Sequence, residues 1–381
     1  MSVWDTLVGQ RAAAEVLRAA ASGTGMTHAW LVTGPPGSGR SNAALAFAAA
    51  LQCPEHGCGA CQACRTALSG AHPDVTRVAT DKLSIGVDEV RDLVRRSALA
   101  PVGAGFQVLV VEDADRLTDQ AFNALLKAIE EPTGHTVWVL CAPTVEDVLP
   151  TIRSRCRLIG LTTPTADEVA AHLVRHDGVD GAMASYAARA SQGHIGRARA
   201  LARDEATRNR RREVVSLPVR LTSLGACMTA AANLYESTLE EAEAITSDLD
   251  AREKTDLDTT YGVVERGRRP REYAPALAAL QKAQKTRAKR RHLDVVDRGL
   301  MDLASVYRDA IAVAAGAASA LVNEEQRGEI AELTRISTPE GQLRRIDAIF
   351  AAREQMLEFN VPPMLALESM MLALRVPRRT A

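Results

Sequence analysis

The chain has 381 residues and a formal net charge of −1, with 46% hydrophobic and 24% charged residues. This composition is typical of soluble globular proteins with two or three domains, and the near-neutral charge excludes a global attraction to nucleic acid. The apolar runs fall short of the ~18 residues of a membrane span, and the N-terminus lacks the basic start and apolar segment of a secretory signal. These features predict a cytoplasmic protein with no membrane partner.

The first predicted element is a short buried strand at residues 28–34, which enters a glycine-rich loop, GPPGSGRS, at residues 34–41. The loop matches the phosphate-binding pattern G-x-x-x-x-G-K-[ST] except at the lysine position, which holds Arg40. Its glycines allow backbone N–H groups to turn toward a phosphate, and the Ala-rich helix that follows adds its N-terminus. A glycine-rich turn without a ligand is the alternative. The candidate nucleotide-binding residues of the loop are Gly34, Gly37, Ser38, Gly39, Arg40 and Ser41.

Four cysteines follow this helix at the spacing C-x4-C-x2-C-x2-C, namely Cys53, Cys58, Cys61 and Cys64. Four thiolates within so short a stretch can surround one tetrahedral ion, and a cytosolic chain disfavours disulfides. An iron–sulfur cluster is the alternative, but its usual C-x2-C-x2-C-x3-C-P run is missing. The spacing therefore predicts a structural Zn²⁺ with no open coordination position. The remaining cysteines, expected to be small buried hydrophobic residues, are Cys141, Cys156 and Cys227.

Three further apolar runs predict buried strands at residues 106–115, 136–143 and 156–161. The first of them ends in two adjacent acids, Glu112 and Asp113, which are candidates for the metal side of a nucleotide site or for capping the next helix. Continuous apolar strands that alternate with helices predict a parallel sheet covered on both faces, and thus an α/β fold.

The strand patterns then stop, and the rest of the chain is expected to be helical. Residues 162–206 predict a small helical unit, and residues 207–381 a larger one. The polar, turn-rich stretch at about 250–271 predicts an exposed insertion or a mobile loop. Two basic runs, at 208–212 and 282–291, each predict a solvated helix face or a mobile loop, with a contact to DNA or to a partner as the alternative.

Several stretches occur in a family-specific order: WDTLVGQ, THAWLVTGPPGSGRS, the four cysteines, AHPDV, VLVVEDADRLTDQAFNALLKAIEEPTGHTVWVLCAP, TIRSRC and SQGHIGRARAL. Together they resemble the bacterial clamp-loader subunits of the AAA+ superfamily that belong to DNA polymerase III, and most closely those of the delta-prime type. The resemblance is dense from the N-terminus to the SRC stretch and weaker over the helical C-terminal part.

The resemblance implies three domains and a place in a ring of subunits. A RecA-like nucleotide domain with the cysteine module at 53–64 would span residues 1–161, a small helical lid 162–206, and a helical collar for oligomerisation 207–381. In the family, the ring opens a sliding clamp and places it on primed DNA during replication. The implied partners are subunits of the gamma/tau and delta types, the sliding clamp and, through the assembled ring, primed DNA. ATP or ADP is the implied nucleotide.

Two departures from the family's motor subunits concern the phosphates and the metal. Arginine at position 40 is a wide planar fork, which is not interchangeable with the compact ammonium of lysine. The acids read Glu112-Asp113, whereas the motor subunits have Asp-Glu, so each carboxylate is displaced by one methylene. A displacement of ~1 Å in a catalytic group can cost a factor of ~100 in rate. These changes predict weakened nucleotide binding and loss of the chain's own hydrolysis.

Two more departures concern the residues that sense the nucleotide. Motor subunits end the third predicted strand with a threonine, but here Ala142 and Pro143 follow Cys141, and neither side chain can donate a hydrogen bond. In the lid, the arginine position of the family holds Gly196, and Arg197 comes one residue later, about 100° further round a helix. Both changes point toward less hydrolysis.

The stretch Ser154-Arg155-Cys156, by contrast, is complete. In clamp loaders its arginine reaches into the ATP site of a neighbouring subunit, so the resemblance implies that Arg155 acts in trans. The alternative is a surface arginine paired with a local carboxylate. The expected function is a rigid ring member of the delta-prime type. A catalytically active ATPase of the gamma/tau type is the main alternative, and a zinc-dependent DNA-binding module is a weaker one.

Overall fold

The computed structural model describes residues 2–80, 84–103, 105–263, 270–318 and 320–376. The chain divides into two units, Met1–Arg203 and Asp204–Ala381. Within the described ranges, no helix combines the length and the apolar character that crossing a lipid bilayer requires.

Five parallel strands form the sheet of the first unit, in the order β2-β3-β4-β1-β5. Their bounds are β1 Ala29–Thr33, β2 Val75–Val78, β3 Gln107–Val111, β4 Thr136–Ala142 and β5 Arg157–Gly160. The four predicted strands are present, and the α/β fold class with a parallel sheet is confirmed, but the expectation that the fourth strand is buried is wrong, because β5 lies at the edge of the sheet and only Ile159 of its four residues is buried. The sequence did not predict β2, because this edge strand is short and its middle residues, Thr76 and Arg77, are polar and only partly covered.

The strand register brings the loops at one edge of the sheet together. Thr33, at the end of β1, pairs with Ala142 of β4 on one side and with Gly160 of β5 on the other. Val111, at the end of β3, pairs with Leu140 of β4. The carboxyl edge of such a sheet is where open α/β folds bind ligands, so any nucleotide site of this unit lies here.

Helices cover both faces of the sheet. The α-helices of this unit are α1 Arg11–Ala21, α2 Arg40–Gln52, α3 Gln62–Ser69, α4 Val87–Ser97, α5 Asp119–Glu130, α6 Pro150–Arg153, α7 Ala166–Asp177, α8 Gly181–Ser191 and α9 Ile195–Arg203. The alanines of α2 let it approach the sheet closely, and Trp30 of β1 meets Phe47 of α2 edge to face at 5.0 Å. On the other face, α5 buries Phe122 and Leu125.

The predicted small helical unit after the sheet is present as α7, α8 and α9, which share their own apolar cluster around Val169, Leu173 and Leu201. Helix α7 begins with a capping box, in which the Thr165 hydroxyl accepts from the N–H of Glu168 and the Glu168 carboxylate accepts from the N–H of Thr165. These three helices belong to the first unit.

The described residues of the second unit form helices and their connections, without a strand. Its α-helices are α10 Glu205–Val215, α11 Leu224–Thr260, α12 Tyr273–Ala314, α13 Arg327–Ile336, α14 Pro339–Leu357 and α15 Pro363–Leu374. Apolar residues from α11, α12, α14 and α15 form its main core, for example Leu234, Leu300, Ile349 and Met370.

Of the two expectations for residues 250–271, the mobile loop is wrong for residues 250–260, which form the last three turns of α11. Helices α11 and α12 run alongside each other, and the polar residues of this stretch find partners on α12. Arg287 of α12 is buried and binds both Asp250 and Glu253, and the Tyr273 hydroxyl donates to Asp258 at 2.5 Å. Residues 264–269 lie outside the described part of the chain.

Both basic runs lie on helices, so the expectation of a mobile loop is wrong for each. In α10, the buried guanidinium of Arg211 donates to Asp302 at 3.1 Å. In α12, Arg287 is buried, whereas Lys282, Lys285 and Lys289 are exposed. Each run therefore mixes structural ion pairs with solvated side chains.

Candidate functional site

The phosphate-type loop leaves the end of β1 and leads directly into α2. The Gly34 N–H donates to the Pro143 carbonyl at 3.1 Å, which ties the loop to the residue that follows β4. Gly37 and Gly39 have φ angles of 84° and 93°, in the left-handed region that glycine tolerates. Helix α2 then begins at Arg40. The backbone thus has the form of a phosphate loop ahead of a helix N-terminus.

Two side chains of this protein, those of Arg40 and His194, contact the phosphate-type loop. The Nη1 of Arg40 donates to the carbonyl oxygen of Gly34, so the guanidinium folds back onto its own loop. His194, at the start of α9, lies against the loop from the lid side, and a Cβ added at Gly37 would come within 2.6 Å of its side chain. The sequence did not indicate either contact.

Gln10 is a site residue that the sequence analysis missed. Its buried amide group donates to the Ser38 carbonyl at 3.2 Å and to the Thr162 carbonyl at 2.6 Å, and accepts from the Thr162 N–H at 3.1 Å. One side chain thereby joins the loop to the segment that leads into the lid. The signal was the glutamine that ends WDTLVGQ, a stretch that the sequence analysis used only as part of the family resemblance.

The acids after β3 are engaged within their own chain. Arg77 of β2 donates to Glu112, with Nη2 at 3.3 Å from one carboxylate oxygen and Nε bound to the other. Asp113 accepts from the Thr80 N–H at 3.2 Å. Burial raises the pKa of Asp115, which lies two residues further along. The structure places both predicted acids at the ligand edge of the sheet, but it gives each a local partner.

At the end of β4, the side chains that could sense a phosphate are missing or occupied. Cys141 is fully buried, and burial raises the pKa of its thiol to about 12, so it stays neutral. Ala142 closes the strand. The Thr144 hydroxyl donates to the Asp147 carboxylate at 2.9 Å. In the lid, Arg197 lies in the first turn of α9, where its N–H donates to His194 Nδ1 at 3.3 Å.

Arg155 lies at an exposed turn between α6 and β5. Its Nη2 is 2.8 Å from Glu130 Oε1, and its Nη1 donates to the Thr151 carbonyl at 2.8 Å and to the Ser154 hydroxyl at 3.2 Å. In the chain alone, Arg155 therefore has the local carboxylate partner of the alternative interpretation. Arg157, two residues on, has a structural position, because its guanidinium lies 5.1 Å from the centre of the Trp30 ring.

The four cysteines meet in the turn between α2 and α3. All four Sγ atoms lie within 4.8 Å of one another, and the distances from Cys53 to Cys58 and to Cys61 are both 3.7 Å. Four sulfurs placed ~2.3 Å from a tetrahedral zinc would be about 3.8 Å apart, so the thiols fit such an ion. The backbone N–H groups of Cys61 and Cys64 point at the sulfurs of Cys58 and Cys61, at 3.3 and 3.4 Å.

The surroundings shift the pKa values of Cys53 and Cys64 in opposite directions. Burial works to raise the pKa of Cys53, but backbone N–H groups of the following loop, led by that of Cys58, outweigh it and lower the pKa to about 6. Burial, followed by the neighbouring cysteines, raises the pKa of Cys64. The N-terminal segment packs on this turn, where Trp4 Nε1 donates to the His56 carbonyl at 3.1 Å. The arrangement can hold one metal ion, with His56 engaged through its backbone.

Comparisons with known proteins match both ends of the chain. The family model described as DNA polymerase III, delta subunit, matches residues 9–165, and the model described as its C-terminal part matches residues 278–375. The "DNA polymerase III subunit gamma/tau" of Mycobacterium tuberculosis is 36% identical over 154 residues, which are 39% of this chain and 27% of that protein.

Two delta-prime relatives are similar over a comparable stretch. "DNA polymerase III subunit delta'" of Escherichia coli is 36% identical over 180 residues, 46% of this chain and 54% of that protein. Its namesake in Pseudomonas aeruginosa is 39% identical over 135 residues, 34% of this chain and 41% of that protein. The chain thus spans about a quarter of the gamma/tau relative and about half of the delta-prime relatives. The chain belongs to the family of DNA polymerase III clamp-loader subunits, whose members include the delta-prime and gamma/tau subunits.

Proposed function

We propose that the chain is a delta-prime-type subunit of a DNA polymerase III clamp loader, a rigid ring member that does not hydrolyse ATP itself. In this role it helps to load a sliding clamp onto primed DNA, beside subunits of the gamma/tau and delta types. The observation that carries the proposal is a contrast between two sites. Glu112, which would serve the chain's own nucleotide, is only 10% exposed in its pair with Arg77, whereas Arg155 and its carboxylate partner Glu130 are 40% and 44% exposed.

Each part of the chain's own site supports this proposal. A motor ATPase needs a cation free to meet the phosphates, but Arg40 is bound to the Gly34 carbonyl. It needs a carboxylate free for metal or water, but Glu112 is paired with Arg77. It needs a polar residue at the end of β4, but Ala142 stands there. The backbone of the loop still suits a phosphate, so nucleotide binding without turnover is compatible with the proposal.

Arg155 is suited to act on a neighbouring subunit. Its partner Glu130 is itself 44% exposed, and an ion pair in such a position is worth at most about 1 kcal/mol. A phosphoryl group that develops charge in a transition state is a stronger partner for a guanidinium. In the ring, Arg155 would exchange Glu130 for the γ-phosphate in the neighbour's ATP site.

The cysteine cluster is proposed to hold structural Zn²⁺. The sulfur distances fit a tetrahedral ion, and with all four ligands from the protein the ion has no open position for a substrate. Its role would be to fix the turn between α2 and α3, against which the N-terminal segment packs.

A gamma/tau-type ATPase is the second candidate, favoured by the 36% identity to the gamma/tau relative. That similarity covers 39% of this chain, while the family models that match residues 9–165 and 278–375 are both described as the delta subunit. A turnover assay of the purified chain with ATP and Mg²⁺ separates the two candidates. The delta-prime proposal predicts no hydrolysis above that of a buffer control, with or without DNA, together with assembly into a complex with gamma/tau- and delta-type subunits.

A further inference from the structure

One face of α12 carries three lysines in an exposed row: Lys282, Lys285 and Lys289. Spacings of three and four residues place them above one another on the same side of the helix, over about 10 Å at a rise of ~1.5 Å per residue. The chain has only six lysines against 40 arginines, so this lysine row holds half of them. The row belongs to the 282–291 basic run, which the proposed function leaves without a role.

The positive charge of the lysine row is not compensated. None of the three lysines forms an ion pair with another described residue, and the nearby acids Asp250 and Glu253 are both occupied by the buried Arg287. Between positions 250 and 291 the sequence has twelve Lys and Arg but six Asp and Glu, a net charge of +6 in a chain of net charge −1. The positive charge is thus concentrated in residues 250–291, which comprise the end of α11, the start of α12 and the residues between them, while the flanking parts of both helices are acidic.

We propose that the lysine row binds the phosphate backbone of double-stranded DNA without reading its sequence. A duplex carries one negative charge per ~1.7 Å of its axis, so a row about 10 Å long can face several phosphates at once. Lysines are point charges that suit phosphates in any orientation. Ion pairs of the second unit with protein carboxylates, such as Arg211–Asp302 and Arg298–Glu241, use arginine instead.

The aromatic residues of the α11–α12 hairpin favour duplex over single-stranded DNA. Proteins that bind single strands stack the bases on exposed aromatic rings. Here Tyr261 and Tyr273 meet edge to face, with ring centres 5.9 Å apart, and the hydroxyl of the buried Tyr273 donates to Asp258. Among the described residues of the hairpin, the surface beside the lysine row offers charge but no aromatic ring positioned to stack on a base, which fits a duplex whose bases stay paired.

The proposed contact between the lysine row and DNA goes beyond the ring role. Its test does not depend on that role, because the experiment uses the full chain without other subunits. Fluorescence anisotropy of a labelled 30-base-pair duplex is measured between 50 and 200 mM salt for the wild type and for Lys282→Ala/Lys285→Ala/Lys289→Ala. Because each phosphate contact contributes ~0.9 to the slope of log K against log salt, the triple variant should flatten the slope by about 2.7. Its affinity at 100 mM salt should fall at least about tenfold.

Two control variants separate the lysine row from general charge. Arg335→Ala/Arg344→Ala/Arg375→Ala removes the same charge from exposed arginines elsewhere in the second unit and should bind DNA like the wild type. Lys282→Arg/Lys285→Arg/Lys289→Arg keeps the charge and should keep the binding. The proposal is overturned if the wild type does not bind the duplex at 50 mM salt or if the Lys→Ala triple variant binds as tightly as the arginine control. Preferential binding of a single-stranded 30-mer, or of polyglutamate, would overturn it too.

Discussion

Arg155 Nη2 lies 2.8 Å from Glu130 Oε1, and the two side chains are 40% and 44% exposed. Glu130 ends α5 and Arg155 follows α6, so the pair spans two loops at the surface of the first unit. Water competes for both groups at this exposure, and the pair contributes little to stability. It does orient the guanidinium, together with the Thr151 carbonyl. Arg155 is therefore held in one direction yet can be released to a stronger anion.

The cysteine cluster should bind one Zn²⁺ per chain, and Cys61→Ser should lose most of it. Removal of one thiolate leaves three ligands and takes away the sulfur that accepts the Cys64 N–H. Elemental analysis of the reduced protein measures the metal, and the melting temperature of the first unit should fall with the metal content. Cys156→Ser, a thiol of the same unit outside the cluster, should keep both at wild-type values. Iron in place of zinc, or equal zinc in the two variants, would contradict this prediction.

Gln10→Ala should destabilise the first unit by about 1 to 3 kcal/mol, because two carbonyls and one N–H lose their buried partner. All three tryptophans, Trp4, Trp30 and Trp138, lie in that unit, so their fluorescence in urea reports its unfolding. Gln281→Ala, at an exposed position of α12, is the matched control and should leave the curve unchanged. An equal urea midpoint for Gln10→Ala and the wild type would show that the bridge contributes nothing.

Arg40→Lys alone should not produce an ATPase. The lysine restores the family's phosphate contact and can raise nucleotide affinity, but Glu112 stays paired with Arg77 and Ala142 still ends β4. Turnover of the purified variant should equal that of Arg40→Ala, which lacks any cation at this position. A clear rate above the Arg40→Ala value would mean that one side chain had silenced an otherwise intact site.

The end of α11, residues 250–260, should unfold locally more readily in acid. The hydrogen bond from Arg287 lowers the pKa of Glu253 below its ordinary 4.5. A carboxylate with a lowered folded-state pKa stabilises the fold above pH 4.5, and this stabilisation is lost as the pH falls through the folded-state value. Amide exchange around residues 250–260, corrected for its intrinsic pH dependence, should therefore accelerate below about pH 4.5.

Glu253→Gln is the control for this effect. The amide cannot titrate, so the variant should open more than the wild type at neutral pH and show a smaller change on acidification. An exchange rate in the wild type that is flat from pH 6 to pH 3 would contradict the assignment to Glu253.

The sequence predicted those elements whose signal is local. The strands at 28–34, 106–115 and 136–143 are buried along β1, β3 and β4 and appear as continuous apolar runs, and the strand at 156–161 was recognised from its apolar run although β5 is a largely exposed edge strand. Strand β2 does not appear as such a run, because Arg77 turns outward and binds Glu112. The polar residues at the end of α11 are typical of a loop. Partners on α12, more than thirty residues away in the chain, stabilise this stretch as a helix.

The same distinction applies to the candidate sites. The phosphate loop and the cysteine cluster are continuous motifs, so their residues were all named from the sequence. The partners that decide the state of the loop, His194 and Gln10, are distant in the chain and are brought to it by folding. Glu130 could not be identified as the partner of Arg155 for the same reason: the two are 25 positions apart, and several exposed carboxylates compete for the role.

The measurement that tests the central claim is the DNA- and clamp-stimulated ATPase of a loader reconstituted with Arg155→Ala, after gel filtration has shown that the complex assembles. Because the Glu130 pair is exposed, the variant should fold normally, with a stability within about 1 kcal/mol of the wild type. Stimulated hydrolysis should fall, but only in part, since other interfaces of the ring keep their own arginines. Arg153→Ala, at an exposed neighbouring position, should hydrolyse ATP like the wild type, whereas Arg157 is unsuitable as a control because it packs over Trp30. A complex with Arg155→Ala that assembles and hydrolyses ATP at the wild-type rate would contradict the trans-acting role.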